Sequence, residues 1–135
     1  MHKITVKSTN RTHIIDITRQ VQTVIQKENI SSGIVVVYCP HTTAGITVNE
    51  NADPDVKHDM NYFLNRLIPQ DPVFEHSEGN SDAHIKSSII NSSQTFIIEE
   101  GKLQLGTWQG IFFMEFDGPR NREFWVKLVA DTVHK

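Results

Sequence analysis

The segment Ile111-Phe112-Phe113-Met114-Glu115-Phe116 constrains this chain more than any other stretch of its sequence. Read as a strand, alternation puts Ile111, Phe113 and Glu115 on one face and Phe112, Met114 and Phe116 on the other. A carboxylate in so apolar a strand has to be paired, protonated or bound to a cation, because burying it alone is prohibitive. The plain alternative is a glutamate at a strand end facing solvent. With 135 residues there is room for one domain, and a TIM barrel, which needs roughly 200, is excluded. Apolar types make up 38% and charged types 21%, enough to build a core and too little charge for a disordered chain.

The periodicity around this strand mixes two kinds of element. Ile4 and Val6 alternate with polar neighbours and Thr12 to Ile17 continues in similar style, which reads as a β-hairpin turning near Thr9-Asn10. Val21, Val24 and Ile25 fall at helical spacing over 18–28, with Thr18 available as N-cap and Gly33 beyond the end. The β-branched run Ile34 to Tyr38 predicts a central strand covered on both faces, followed by a strand near Ile46 to Asn49. Asp53-Pro54 opens a helix whose apolar stripe is Val56, Met60, Phe63, Leu64 and Leu67. An irregular loop follows from Pro69, then a short helix from Ser81 to about Ile90. The remainder reads as strands over 94–99, 102–105, 108–116 and 123–130. The expected class is α+β: a single compact domain, 1–135, with a mostly antiparallel or mixed sheet of about seven to eight strands and about three helices.

Thirteen basic against sixteen acidic residues give a formal charge of −3, which argues against a general nucleic-acid binder. No stretch approaches the ~18 apolar residues of a membrane span, and the first residues lack a signal-peptide core. The single cysteine, Cys39, cannot form an internal disulfide, so a reducing cytoplasm is the expected location. Cys39 itself reads as a small buried hydrophobe, although its closeness to His41 admits a nucleophile.

Three histidines stand where they can meet in space. His41 follows directly on a buried strand, where a loop can aim a side chain into a cleft. His76 and His84 flank Glu78-Gly79-Asn80, so a turn and a helix start have to bring them together. Neutral imidazoles from separate elements bind zinc and similar metals, and protonated ones bind phosphate. The spacing matches neither a zinc-finger pattern nor His-Glu-x-x-His. His2, His13, His58 and His134 read as surface or satisfied core. Glu50 suits a salt bridge or a cation contact equally. Gly106-Thr107-Trp108-Gln109-Gly110 permits close backbone approach to a ligand or marks an ordinary bend. Asp117-Gly118-Pro119-Arg120-Asn121-Arg122 is a tight turn carrying two arginines, which suit phosphate when not simply solvated.

Taken in order, His41-Thr42-Thr43-Ala44, Asn49-Glu50, His76 with Gly79-Asn80, Ala83-His84, Gly106 to Gly110, and Glu115 through Arg120 resemble the YjbQ-like family over nearly the whole chain. The resemblance implies secondary thiamine-phosphate synthase activity, joining an aminopyrimidine-methyl pyrophosphate to a thiazole phosphate with release of pyrophosphate. It implies a homotrimer whose polar residues gather in a cleft. His41, His76 and His84 would be the catalytic centre around a divalent metal, zinc or magnesium, with Glu115 beside them as general base or support. Thr42, Thr43, Glu50, Asn80, Trp108, Gln109 and Arg120 would bind a small phosphorylated substrate, Trp108 as a surface for the flat pyrimidine. Two alternatives stand beside this: a metal-dependent hydrolase of a small phosphorylated or amide metabolite, and a non-catalytic oligomeric phosphometabolite-binding protein. The resemblance leaves Cys39 and Arg122 outside the core site.

Overall fold

The computed structural model describes residues 1–132. In chain order the elements are β1 (His2–Lys7), β2 (His13–Asp16), α1 (Thr18–Glu28), β3 (Gly33–Tyr38), β4 (Ala44–Glu50), α2 (Pro54–Leu67), α3 (Ser81–Ile90), β5 (Ser93–Glu99), β6 (Lys102–Leu103), β7 (Gln109–Glu115) and β8 (Asn121–Ala130). The eight strands form two antiparallel sheets, one of five in the order β1-β8-β3-β5-β6 and one of three in the order β2-β7-β4. With three helices this is the expected α+β class.

The doubly apolar β7 explains the layering. Its Ile111 and Phe113 join Val35, Val37, Phe96, Ile98, Phe124 and Val126 of the large sheet and Val21, Val24 and Ile25 of α1 in one core. Its other face, Phe112 and Met114 with Phe116 just beyond, packs against Ala83, Met60 and Leu64 of α3 and α2 in a second core. A strand buried from both sides has to be apolar on both, and each fully buried large side chain contributes about 1.5–3 kcal/mol.

Several local expectations are corrected. Strands β1 and β2 form no hairpin: β1 pairs β8 over six positions and β2 pairs β7 over four, in different sheets. Residues 8–12 instead carry the chain from one sheet to the other, which brings Ser8 against the end of β7. Strand β3 is central, yet its residues alternate between buried and exposed, so only one face is covered. Helix α1 starts one residue earlier than a Thr18 cap would require, with Ile17 in the cap position: Asp16 Oδ1 accepts from the Thr18 backbone N–H and hydroxyl, and Asn29 closes the helix at φ 54°. Helix α2 does begin at an Asp53 cap, whose Oδ1 accepts from Asp55 N–H at 2.9 Å. Only Met60 and Leu64 of its stripe pack inward, while Phe63 and Leu67 stay exposed.

Candidate functional site

Sequence-adjacent strands do not build the site; the ends of β7, β8 and β4 do, with the N-terminus of α3 opposite. At the end of β7, Glu115 is 1% exposed, and the 6% exposed Arg122 of β8 meets it edge-on, Nε lying 2.8 and 3.1 Å from the two carboxylate oxygens. Ser8 Oγ donates to Oε1 at 2.8 Å and the Asp117 backbone N–H to Oε2 at 3.1 Å. Burial pushes the Glu115 carboxyl up, but the hydrogen bonds from Arg122, Ser8 and Asp117 outweigh it and hold its pKa below the usual value. The buried carboxylate is therefore paired, one of the three states its apolar strand allowed. Arg122 Nη2 goes on to the Thr43 hydroxyl at 2.7 Å and carbonyl at 3.3 Å, tying the loop after β3 to the same pair. The chain crosses this cluster closely: a Cβ on Gly118 would lie 2.5 Å from Asn10 O and 2.6 Å from Ser8 Oγ.

Above the pair opens a cleft of about 270 Å³ lined by His41, Thr42, Thr43, Asn80, His84 and Arg120, with Pro40, Glu78, Asp117 and Arg122. Asn80 Nδ2 donates to Asp117 Oδ2 at 2.8 Å. Arg120 folds back on Asp117, with Nε 3.0 Å from its carbonyl and Nη2 2.9 Å from Oδ2, and the Nη1 group has no protein acceptor among the described residues. His41 Nε2 lies 3.1 Å from both the nitrogen and the carbonyl oxygen of Glu123. Burial, helped by nearby Arg122, pushes the His41 imidazole pKa down, so the ring is held neutral. His76 packs edge-to-face on His84 with ring centroids 5.3 Å apart and reaches Glu78 at 3.8 Å.

Three of the expected residues lie elsewhere. Strand pairing sets Ala44 opposite Glu115 and Glu50 opposite Gln109, six residue steps or about 20 Å away. There Glu50 Oε2 accepts from the Ala52 N–H, Gln109 Oε1 accepts from the Gly106 N–H, and Trp108 is 63% exposed. Gly110 faces Asn51, whose Nδ2 is 2.7 Å from where a Cβ would sit, so that glycine serves the chain's own packing. Cys39 is buried with its thiol pushed up to about 11 by desolvation, which keeps it protonated and unsuited to nucleophilic attack. His134 lies outside the described residues.

Sequence reasoning missed Arg122, Ser8 and Asp117 as the partners of Glu115, Asn80 and Arg120. It also missed a second polar cluster on the opposite flank of α3. There Lys86, 2% exposed, donates to Asn65 Oδ1 at 2.6 Å and lies 3.5 Å from Asp82 Oδ2, while Arg11 Nη2 meets Asp82 Oδ1 at 3.1 Å. Burial lowers the Lys86 pKa against the pull of Asp82. The spacing of Asp82 and Lys86, one helical turn, was the available signal.

The donor set does not fit a resident divalent metal. Zinc needs about four ligands converging at about 2.0–2.3 Å. Here His41 turns Nε2 to a backbone, His76 and His84 stack on each other, and both Glu115 oxygens are taken. Among the described residues no group of three or more His, Cys, Asp or Glu side chains is placed to hold a metal ion.

A family model described as UPF0047 protein YjbQ-like matches residues 2–131. A UPF0047 protein of Methanocaldococcus jannaschii is 57% identical, covering 97% of this chain and 95% of its own, and YugU of Bacillus subtilis is 52% identical, covering 93% and 96%. A crystal structure of an uncharacterised conserved protein of the YjbQ/UPF0047 family from Clostridium acetobutylicum superposes with a TM-score of 0.94 at 52% identity, covering 96% of this chain and all of that one. None of these relatives carries a thiamine-phosphate synthase, a hydrolase or a phosphometabolite-binding protein in its name, and the imidazoles form no metal centre. The expectation of a metal-assisted thiamine-phosphate synthase is therefore corrected, and with it the metal-dependent hydrolase weighed beside it. What the match over residues 2–131 and the shared fold do show is that the chain belongs to the UPF0047/YjbQ-like family.

Proposed function

We propose that the cleft between α3 and the ends of β7 and β8 holds a small phosphorylated substrate through protein side chains and backbone, without a metal. The observation that carries this reading is the convergence of Arg120, Thr42, His84 and the N-terminus of α3 on one opening. Helix α3 receives no side-chain cap from Asn80, and the Asp82 carboxylate of its first turn is taken up by Arg11 and Lys86, which leaves its first N–H groups for an anion. The uncommitted Nη1 of Arg120 adds a charge-assisted donor. The Glu115–Arg122 pair forms a rigid floor, and the imidazole of His84, with His76 packed against it, is the group placed to move a proton at the open side.

Calorimetric titration with a panel of phosphate monoesters, in chelator, tests this. Saturable binding that survives the chelator and weakens at least ~10-fold in Arg120→Ala is expected. Absence of binding to every monoester, or binding that requires added zinc or magnesium, contradicts it.

The partner arrangement we propose is the homotrimer that the resemblance implies. What supports it is an exposed apolar row on the outer face of the five-stranded sheet, where Ile34 stands between Ile97 and Val129, with Tyr38 further along β3. Light scattering should give three times the chain mass, and Ile34→Glu should lower it; a wild-type monomer contradicts this. No helix among the described residues is long and apolar enough to cross a membrane. A reducing cytoplasm suits the lone buried thiol.

A further inference from the structure

The cleft does not end at His84. His84 and Thr42 also line a second hollow of about 360 Å³, whose other walls are Ser87, Ser88, Asn91 and Ser92, on the last turns of α3 and the link to β5. The two hollows adjoin along these two shared side chains, so one molecule can occupy both. Their linings differ in kind. The cleft carries arginines and carboxylates, whereas the second hollow carries four hydroxyls, one amide and the shared imidazole, with no acid, lysine, arginine or aliphatic side chain.

Backbone bonds fix the floor of this second hollow. Cys39 N–H donates to the Ser92 carbonyl at 2.7 Å, Ile46 N–H to the Asn91 carbonyl at 3.1 Å, and Ser87 Oγ to the Ala44 carbonyl at 2.7 Å. On that floor, polar groups are left over. Among the described residues the hydroxyls of Thr42 and Ser92 and the Nδ2 of Asn91 make no hydrogen bond, and the Ser88 hydroxyl, which donates to His84 O at 3.0 Å, can still accept. Thr42, Ser88 and Asn91 are exposed and Ser92 half-buried, so a ligand reaches all four. Asn91 is held at φ 88°, a backbone that glycine adopts without strain, yet the chain places an amide there.

A body seated here replaces the water on these groups. An alkyl or aromatic body strips their hydrogen bonds and returns none, and a charged one meets no carboxylate, lysine or arginine in the lining. A neutral body dense in hydroxyls both donates to and accepts from them. Resting on the reading of the cleft as a phosphate site, we infer that its ligand is a sugar phosphate. The phosphate lies toward Arg120 and the α3 N-terminus, and the hydroxylated body lies past His84 against Ser88, Asn91 and Ser92.

Calorimetry with inorganic phosphate, propyl phosphate, ribose 5-phosphate and glucose 6-phosphate separates this inference from the reading beneath it. At least one sugar phosphate should bind wild-type protein ~10-fold or more tightly than propyl phosphate, the gain from two or three added hydrogen bonds. In the double variant Asn91→Gly, Ser92→Ala that ratio should fall at least ~3-fold while affinity for propyl phosphate changes little. Glycine suits the φ at position 91, and both substitutions keep the backbone bonds of the floor. If no compound binds, the phosphate reading fails and this inference fails with it. If propyl phosphate binds and neither sugar phosphate reaches ~10-fold over it, the phosphate reading stands and the sugar inference is overturned. A smaller fall in the double variant overturns the second hollow as the seat of the sugar. Should that variant not fold, amide shifts of Ser88 to Ser92 in wild-type protein decide: the tighter sugar phosphate should move them and propyl phosphate should not, and silence with both overturns the inference.

Discussion

The two ends of the β4–β7 ladder hold comparable polar residues in opposite circumstances. At the Ala44–Glu115 end a carboxylate and a guanidinium are buried together and bonded to three separate chain segments, beneath a cleft. At the Glu50–Gln109 end Glu50 and Gln109 each bond to backbone within three residues of themselves, and the tryptophan lies in solvent. Local turns need only local bonds. A buried ion pair has to be satisfied by distant segments, so it fixes where those segments sit, and a ligand site can be built on it.

The largest effect expected at the buried end is on stability. Arg122→Met leaves Glu115 charged without its partner, which should cost about 3–5 kcal/mol in urea unfolding. Glu115→Gln on that background should recover part of the loss. A loss below ~1 kcal/mol in the single variant would make the pair dispensable and the contrast false. Gly118→Ala comes next: a Cβ there meets Asn10 O at 2.5 Å, and the forced backbone shift should cost about 1–3 kcal/mol.

The pH dependence of stability gives a third handle. Glu115, whose folded pKa is lowered from 4.5, contributes stability that is present above 4.5 and lost as pH falls through the folded value. His41 is also lowered, from 6.5, so the unfolded chain takes up its proton first and stability declines as pH falls below 6.5. Unfolding midpoints between pH 3 and pH 8 should therefore drop in two stages, and Glu115→Gln should shrink the lower one, to which Asp16, also lowered, contributes; an unchanged lower stage contradicts the assignment. The smallest effect belongs to the other end of the ladder. Trp108→Ala should change stability by less than ~0.5 kcal/mol and leave phosphate-ester affinity unaltered, and a loss of binding in that variant would undo the comparison.

Glu115 was legible from sequence because a charge isolated in an apolar strand has few physical outcomes. Its partner was not, because Arg122 shares a polar turn with Arg120, and only the inward alternation Arg122, Phe124, Val126 along β8 separates the buried arginine from the exposed one. The separation of β1 from β2 was hidden for a different reason. Neighbours in sequence usually pair, but each of these strands found a more apolar partner in another sheet. Glu50, Trp108 and Gln109 were grouped with the histidines by resemblance alone, and a seven-residue ladder holds them at its far end. Conversely, the sequence pattern places the start of α3 at Ser81, and the structure puts Asn80 in the cap position with no cap bond from its side chain.

The most direct test of the cleft as the ligand site is a titration of isotope-labelled protein with ribose 5-phosphate, followed through backbone amide shifts. Saturable changes centred on Thr42, Thr43, Asn80 to His84 and Arg120, with Trp108 to Gly110 silent, are predicted. Changes confined to the Trp108 end, or none at millimolar ligand, would contradict the account.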